Sequence, residues 1–110
     1  MIKELILKGI AASRGTSIGV VKIVLNTGEL SKVSEGDVLV AKFTQPAYTV
    51  AMLKACAFVT DVGGICSHAA MIARELGVPC VVNTGNATTV LKDGQRVIVD
   101  GDNGLIFKES

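Results

Sequence analysis

Short apolar blocks, broken by glycine and small polar residues, organise the chain. Residues 4–11 read as a strand, and residues 14–19, with Gly15 and Gly19, as a loop. Residues 20–25 are a run of mostly β-branched residues and predict a strand. Asn26, Thr27 and Gly28 look like a turn, and residues 37–42 form another short strand after Glu35 and Gly36. The period then changes. Pro46 suits the first turn of a helix, with Thr44 or Gln45 before it, and Tyr48, Ala51, Met52 and Ala55 recur at helical spacing. Residues 57–60 are a short buried strand, followed by a loop that contains adjacent glycines. Ser67 is placed to cap a helix over residues 68–76, where Ala69, Ile72, Ala73 and Leu76 share one face. Gly77 stops that helix and Pro79 follows. Residues 80–82 are a strand and residues 83–88 a polar loop. Residues 96–100 and 105–108 close the chain as a hairpin around Gly101 and Gly104. The expected architecture is α/β: a compact sandwich of six or seven short strands in mixed order, with two or three short helices.

Length and composition narrow the class. The 110 residues make one domain, residues 1–110, with no repeat or linker. Apolar residues make up 49% of the chain and charged residues 19%, so it buries a core rather than staying disordered. The net charge is +1, with both signs interspersed, and the aromatics are only Phe43, Tyr48, Phe58 and Phe107. Neither a basic nucleic-acid footprint nor a base-stacking platform is present. Cys56, Cys66 and Cys80 are odd in number and form no CxxC pair, which argues against a disulfide framework or a metal site and fits a reducing cytoplasm. No apolar run approaches membrane-span length, and the first one carries Lys3, Glu4 and Lys8, unlike a signal peptide.

The chemically informative stretch is residues 60–82, TDVGGICSHAAMIARELGVPCVV. Gly63 and Gly64 permit unusual backbone and close approach of a ligand. His68, the chain's single histidine, stands at the start of the expected helix, where free N–H groups and the dipole favour an anion. An imidazole titrates near about 6.5 in model peptides, so it offers a neutral nucleophile at pH 7. By itself a lone histidine beside an apolar helix is more often structural than catalytic, and a glycine pair is often a plain turn.

The same residues resemble the mobile phosphohistidine domain of phosphoenolpyruvate-utilising enzymes, a family that includes phosphoenolpyruvate synthase, pyruvate phosphate dikinase and Enzyme I of the sugar phosphotransferase system. Gly63, Gly64, Ile65, Cys66, Ser67, His68, Ala69, Ala70, Ala73 and Arg74 stand at the positions of its signature. The likeness continues through residues 75–79, 84–88, 91–94 and 99–101, and upstream through residues 9–13, residues 36–40, Thr44 and Pro46. It therefore covers nearly the whole chain in order.

The resemblance implies a swivelling β/β/α fold and a phosphoryl carrier that takes the group on His68. Gly63, Gly64, Cys66 and Ser67 would form the phosphate loop, although Cys66 also reads as a small buried filler and Ser67 as a helix cap. Arg74 lies about 240° round an ideal helix from His68, so it would meet a loop or a docking partner rather than clamp the phosphate. Thr60 and Asp61 are candidates for orienting the imidazole. The implied partners are an ATP-grasp-like nucleotide-binding domain and a barrel that binds phosphoenolpyruvate or pyruvate. ATP or phosphoenolpyruvate and Mg²⁺ are expected on those partners, with no cofactor held by this domain alone. On that reading the chain is part of a phosphotransferase rather than a complete enzyme, and its Met1 start and compact ends favour a separate subunit. The alternative is a catalytically silent regulatory or assembly module with the same fold. Three departures bear on this choice. Ile65 replaces the Arg or Met of several members, Arg14 stands where many have Pro, and Cys66 occupies the site of a regulatory threonine in some dikinases.

Overall fold

The β-branched runs become strands in the computed structural model, which describes residues 3–109. The strands are β1 (Lys3–Lys8), β2 (Ile10–Ser13), β3 (Thr16–Val24), β4 (Val38–Ala41), β5 (Ala57–Thr60), β6 (Cys80–Val82), β7 (Arg96–Asp100) and β8 (Leu105–Glu109). The helices are α1 (Thr49–Met52), α2 (His68–Leu76) and α3 (Ala87–Val90), with 3₁₀ turns at Thr27–Lys32 and Pro46–Tyr48. The strands are ordered β1-β8-β7-β3-β4-β5-β6-β2.

Two half-sheets share β3. Its first residues, from Thr16 to Val20, pair antiparallel with β7, and Val21 to Val24 pair parallel with β4. Strands β4, β5 and β6 continue in parallel, and β2 closes that half antiparallel to β6. On the other side β7, β8 and β1 form an antiparallel meander. The two edge strands, β1 and β2, are consecutive in the chain with only Gly9 between them. At that crossing a Cβ on residue 9 would lie 2.4 Å from the Val82 carbonyl oxygen, so only glycine fits.

The parallel strands are buried on both faces, which explains their continuous apolar sequences. Leu39, Ala41, Phe58, Cys80 and Val82 point to a core shared with α1 and α2. Val38, Val40, Ala57, Val59 and Val81 point the other way, to a core shared with β7 and β8. The alternation yields three layers, sheet on sheet with helices on the parallel half.

The expected α/β sandwich and its mixed strand order are present, with these differences in detail. The strand expected over residues 4–11 is divided at Gly9, which supplies the eighth strand. Residues 14–19 are not all loop, because β3 begins at Thr16 and runs through Gly19. Gly19 serves packing there, since an added Cβ would meet the Gly36 carbonyl oxygen at 2.6 Å. The turn at residues 26–28 extends into the 3₁₀ helix capped by Asn26, whose side chain accepts the Gly28 N–H. The helix expected from Pro46 onward is shorter and begins as a 3₁₀ turn. The loop over residues 83–88 leads into α3, which was not expected. Leu76 is exposed, and the buried face of α2 is Ala69, Ala70 and Ala73 with Ile72 partly covered.

Candidate functional site

The carboxyl ends of β4, β5 and β6 lie along one edge of the parallel half-sheet, the usual place for a site in such sheets. Backbone pairing extends past the strands and sets the loops in register. The Asp61 and Val62 N–H groups donate to the Ala41 and Lys42 carbonyls, at 3.1 and 3.0 Å. The Thr84 and Gly85 N–H groups donate to the Thr60 and Asp61 carbonyls, at 3.1 and 2.8 Å. These bonds hold the loop after β4 beside the loop that leads into α2.

His68 is the first residue of α2 and is half-buried. Its Nδ1 lies 2.9 Å from the Thr44 hydroxyl, which comes from the loop after β4 and is itself buried. The other ring nitrogen, Nε2, has no hydrogen-bond partner among the described residues. Ser67 caps α2 from an extended backbone, and its hydroxyl accepts the Ala70 N–H at 3.4 Å. A cap of this type contributes about 1 kcal/mol. The Ser67 N–H donates to the Gly64 carbonyl at 3.0 Å, closing the turn before the helix. The N–H groups of Gly64, Ile65 and Cys66 donate to no acceptor among the described residues. Free N–H groups on a turn at a helix N-terminus form an anion-binding concavity.

The glycines divide their duties. Gly63 has φ +118°, a conformation that L side chains rarely adopt, and an added Cβ would press on Ser67 at 3.2 Å. Gly64 has no such need, because an added Cβ would meet nothing within 4 Å. The space over Gly64 is open.

Thr60 and Asp61 do not meet the imidazole, which corrects the orienting role expected of them. The Thr60 hydroxyl donates to the Val62 carbonyl at 2.7 Å and stiffens the turn. The buried Asp61 carboxylate accepts the Thr88 N–H at 2.9 Å and the Thr88 hydroxyl at 2.5 Å, so it caps α3 from a distant loop. Thr44 is the residue that holds the ring. Its signal in the sequence was slight: a polar residue just past a strand and two before a proline.

Cys66 is exposed, which corrects the buried-filler reading. Arg74 lies away from His68, and its Nη1 donates to the Ala12 carbonyl of β2 at 3.0 Å. Burial pushes the Cys80 thiol up to about 12, a rise that Arg74 partly offsets. Among the described residues no group of three or more His, Cys, Asp or Glu is placed to hold a metal ion. No helix among them is long and apolar enough to cross a membrane.

The chain is 48% identical over 108 residues to a probable phosphoenolpyruvate synthase of Methanothermobacter thermautotrophicus, covering 98% of this chain and 16% of that protein. It is 51% identical over 105 residues to the phosphoenolpyruvate synthase of Pyrococcus furiosus, covering 96% of this chain and 13% of the relative. It thus spans only a small part of the length of these relatives. A solution structure of Enzyme I superimposes with a TM-score of 0.61 at 42% identity, covering 70% of this chain and 32% of the other. The model of the family described as "PEP-utilising enzyme, mobile domain" matches residues 33–104. With that span matched, and with His68 placed at the mouth of the swivelling-type sandwich, the chain belongs to the mobile-domain family of phosphoenolpyruvate-utilising enzymes.

Proposed function

We propose that this domain is a phosphoryl carrier that takes the group on Nε2 of His68 and delivers it to a second site. The observation that carries the reading is the Thr44–His68 contact at the N-terminus of α2. In the neutral tautomer with the proton on Nδ1, that N–H donates to Thr44 and the lone pair is left on Nε2. Nε2 attacks the phosphorus of the donor, the Nε2–P bond forms, and the donor's P–O bond breaks with its electron pair on the leaving oxygen. Nδ1 keeps its proton, so the ring becomes cationic and its bond to Thr44 becomes charge-assisted. The free N–H groups of Gly64, Ile65 and Cys66 and the positive end of α2 stabilise the phosphoryl oxygens. Delivery reverses these steps at the acceptor.

Partner domains supply the remainder. ATP or phosphoenolpyruvate would be the donor, held with Mg²⁺ on a nucleotide-binding or barrel domain, and pyruvate is a fitting acceptor. Phosphoryl transfer is chiefly positioning and charge stabilisation, and the open space over Gly64 leaves room for a partner's groups to reach the phosphate.

The test is intact-mass and fragment analysis under alkaline conditions, because phosphohistidine is acid-labile. The chain is exposed to ATP and to phosphoenolpyruvate, with partner domains from a phosphoenolpyruvate synthase whose own mobile domain is removed. An acid-labile phosphoryl group on His68, absent from folded His68→Ala, is expected. No label with active partner domains would overturn the carrier reading in favour of the silent module.

A further inference from the structure

A cleft of about 530 Å³ opens at the opposite end of α2 from His68, where the helix end faces the β2–β3 turn and the β7–β8 hairpin. Arg74 stands about 9 Å along the helix axis from His68 and about 240° round it, so this cleft is separate from the imidazole. Its polar lining includes Ser13, Arg14, Arg74 and Asp102.

The charges there are not neutralised internally. Neither guanidinium forms an ion pair among the described residues. Arg74 uses one N–H on the Ala12 carbonyl, and the fork keeps its other donors. Arg14 is exposed. The carboxylate of Asp102 is occupied by the Gly15 N–H, which donates to its Oδ1 at 3.2 Å. Two guanidiniums against one carboxylate leave one excess positive side-chain charge in the lining, which the negative end of α2 beside Gly77 offsets only in part. Ser13 adds a hydroxyl donor to the lining. It is only 8% exposed, it lines the cleft, and its hydroxyl has no protein partner among the described residues. No buried side-chain nitrogen or oxygen among the described residues lacks a partner, so this hydroxyl reaches solvent in the cleft and is free to donate to a ligand there.

We propose that this cleft binds a small oxyanion, a phosphate or carboxylate group held by Arg14, Arg74 and the Ser13 hydroxyl. Guanidinium forks match such oxyanions in charge and geometry. The volume falls within the range of about 300–1,000 Å³ typical of small-molecule sites. Occupancy there leaves His68 free, and the site stands whether or not His68 carries phosphate.

The experiment titrates the ¹⁵N-labelled full chain with inorganic phosphate and, separately, with pyruvate, holding ionic strength constant with chloride to remove general screening. Saturating amide shifts at Ser13, Arg14 and Gly101 are expected. A larger response to phosphate assigns the phosphate class, and a larger response to pyruvate assigns the carboxylate class. Arg14→Gln, at an exposed position, should weaken binding about tenfold through loss of one charge-assisted contact. His68→Ala should bind as the parent does. Absence of saturable shifts, shifts confined to residues 64–70, or an Arg14→Gln titration identical to the parent would overturn the proposal.

Discussion

Replacing Thr44 by valine removes one hydroxyl at nearly constant volume and isolates what holds the imidazole. In the unmodified domain the lost contact is a single hydrogen bond of 2.9 Å between neutral groups, worth about 1 kcal/mol. His68 is only half-buried, so water can partly replace the hydroxyl and the loss of stability stays at or below that value. On the proposed carrier reading, phosphorylation on Nε2 would make the ring cationic and the same bond worth about 1.5–3 kcal/mol. The variant therefore destabilises the product more than the reactant, by about 1 kcal/mol, and lowers the equilibrium fraction of phosphohistidine about fivefold. Free rotation of the ring also exposes Nδ1 to attack. The assay loads each protein with phosphoramidate, a small donor that needs no partner, and reads the phosphohistidine isomer and its amount by ³¹P NMR. Thr44→Ser, which keeps the hydroxyl, should restore both Nε2 selectivity and extent. If Thr44→Val matched the parent in isomer and equilibrium, or if Thr44→Ser were as defective as valine, the positioning role of Thr44 would be wrong.

Asp61→Ala should lower stability by about 1.5–3 kcal/mol, because the α3 N-terminus loses a buried charged acceptor; its phosphohistidine isomer, read as above, should not change. Gly63→Ala should cost about 1–3 kcal/mol in denaturant unfolding because of its positive φ, whereas Gly64→Ala should leave stability unchanged and slow phosphoryl uptake from partner domains. Cys80 should give the fold an alkaline weakness. Its thiol ordinarily titrates near 9.0 and is held up to about 12 when folded, so between those values the unfolded chain has released a proton that the folded one retains. Stability then falls as pH rises from about 9 towards 12, and Cys80→Ala should flatten that part of a urea-midpoint profile. An unchanged slope in Cys80→Ala would contradict the assignment.

Features written in contiguous residues were legible without coordinates. Helix α2 runs over the residues expected, from His68 to Leu76, because a serine cap, a helical apolar stripe and a left-handed glycine at φ 74° are local chemistry. The buried strands β5 and β6 and the closing hairpin follow from short apolar runs between turn residues. The glycine loop and the single histidine at a helix start were equally visible, as was the family they resemble.

Long-range pairing decided the remainder. The sequence placed Thr60 and Asp61 next to the loop, and proximity along the chain suggested that they orient the ring. Only the parallel register of β4 beside β5 brings Thr44, 24 residues away, against Nδ1, while α3 draws the Asp61 carboxylate off to Thr88. Gly9 falls inside the strand expected over residues 4–11 and Gly19 in the loop expected over residues 14–19, yet both are required by carbonyls contributed from distant segments, at Val82 and Gly36. The cleft of Ser13, Arg14, Arg74 and Asp102 likewise draws on three separate parts of the chain. Caps and periodicity act over a few residues and can be read from a sequence. Which polar group meets which partner depends on strand order and register, and those come from packing two cores on opposite faces of one parallel layer.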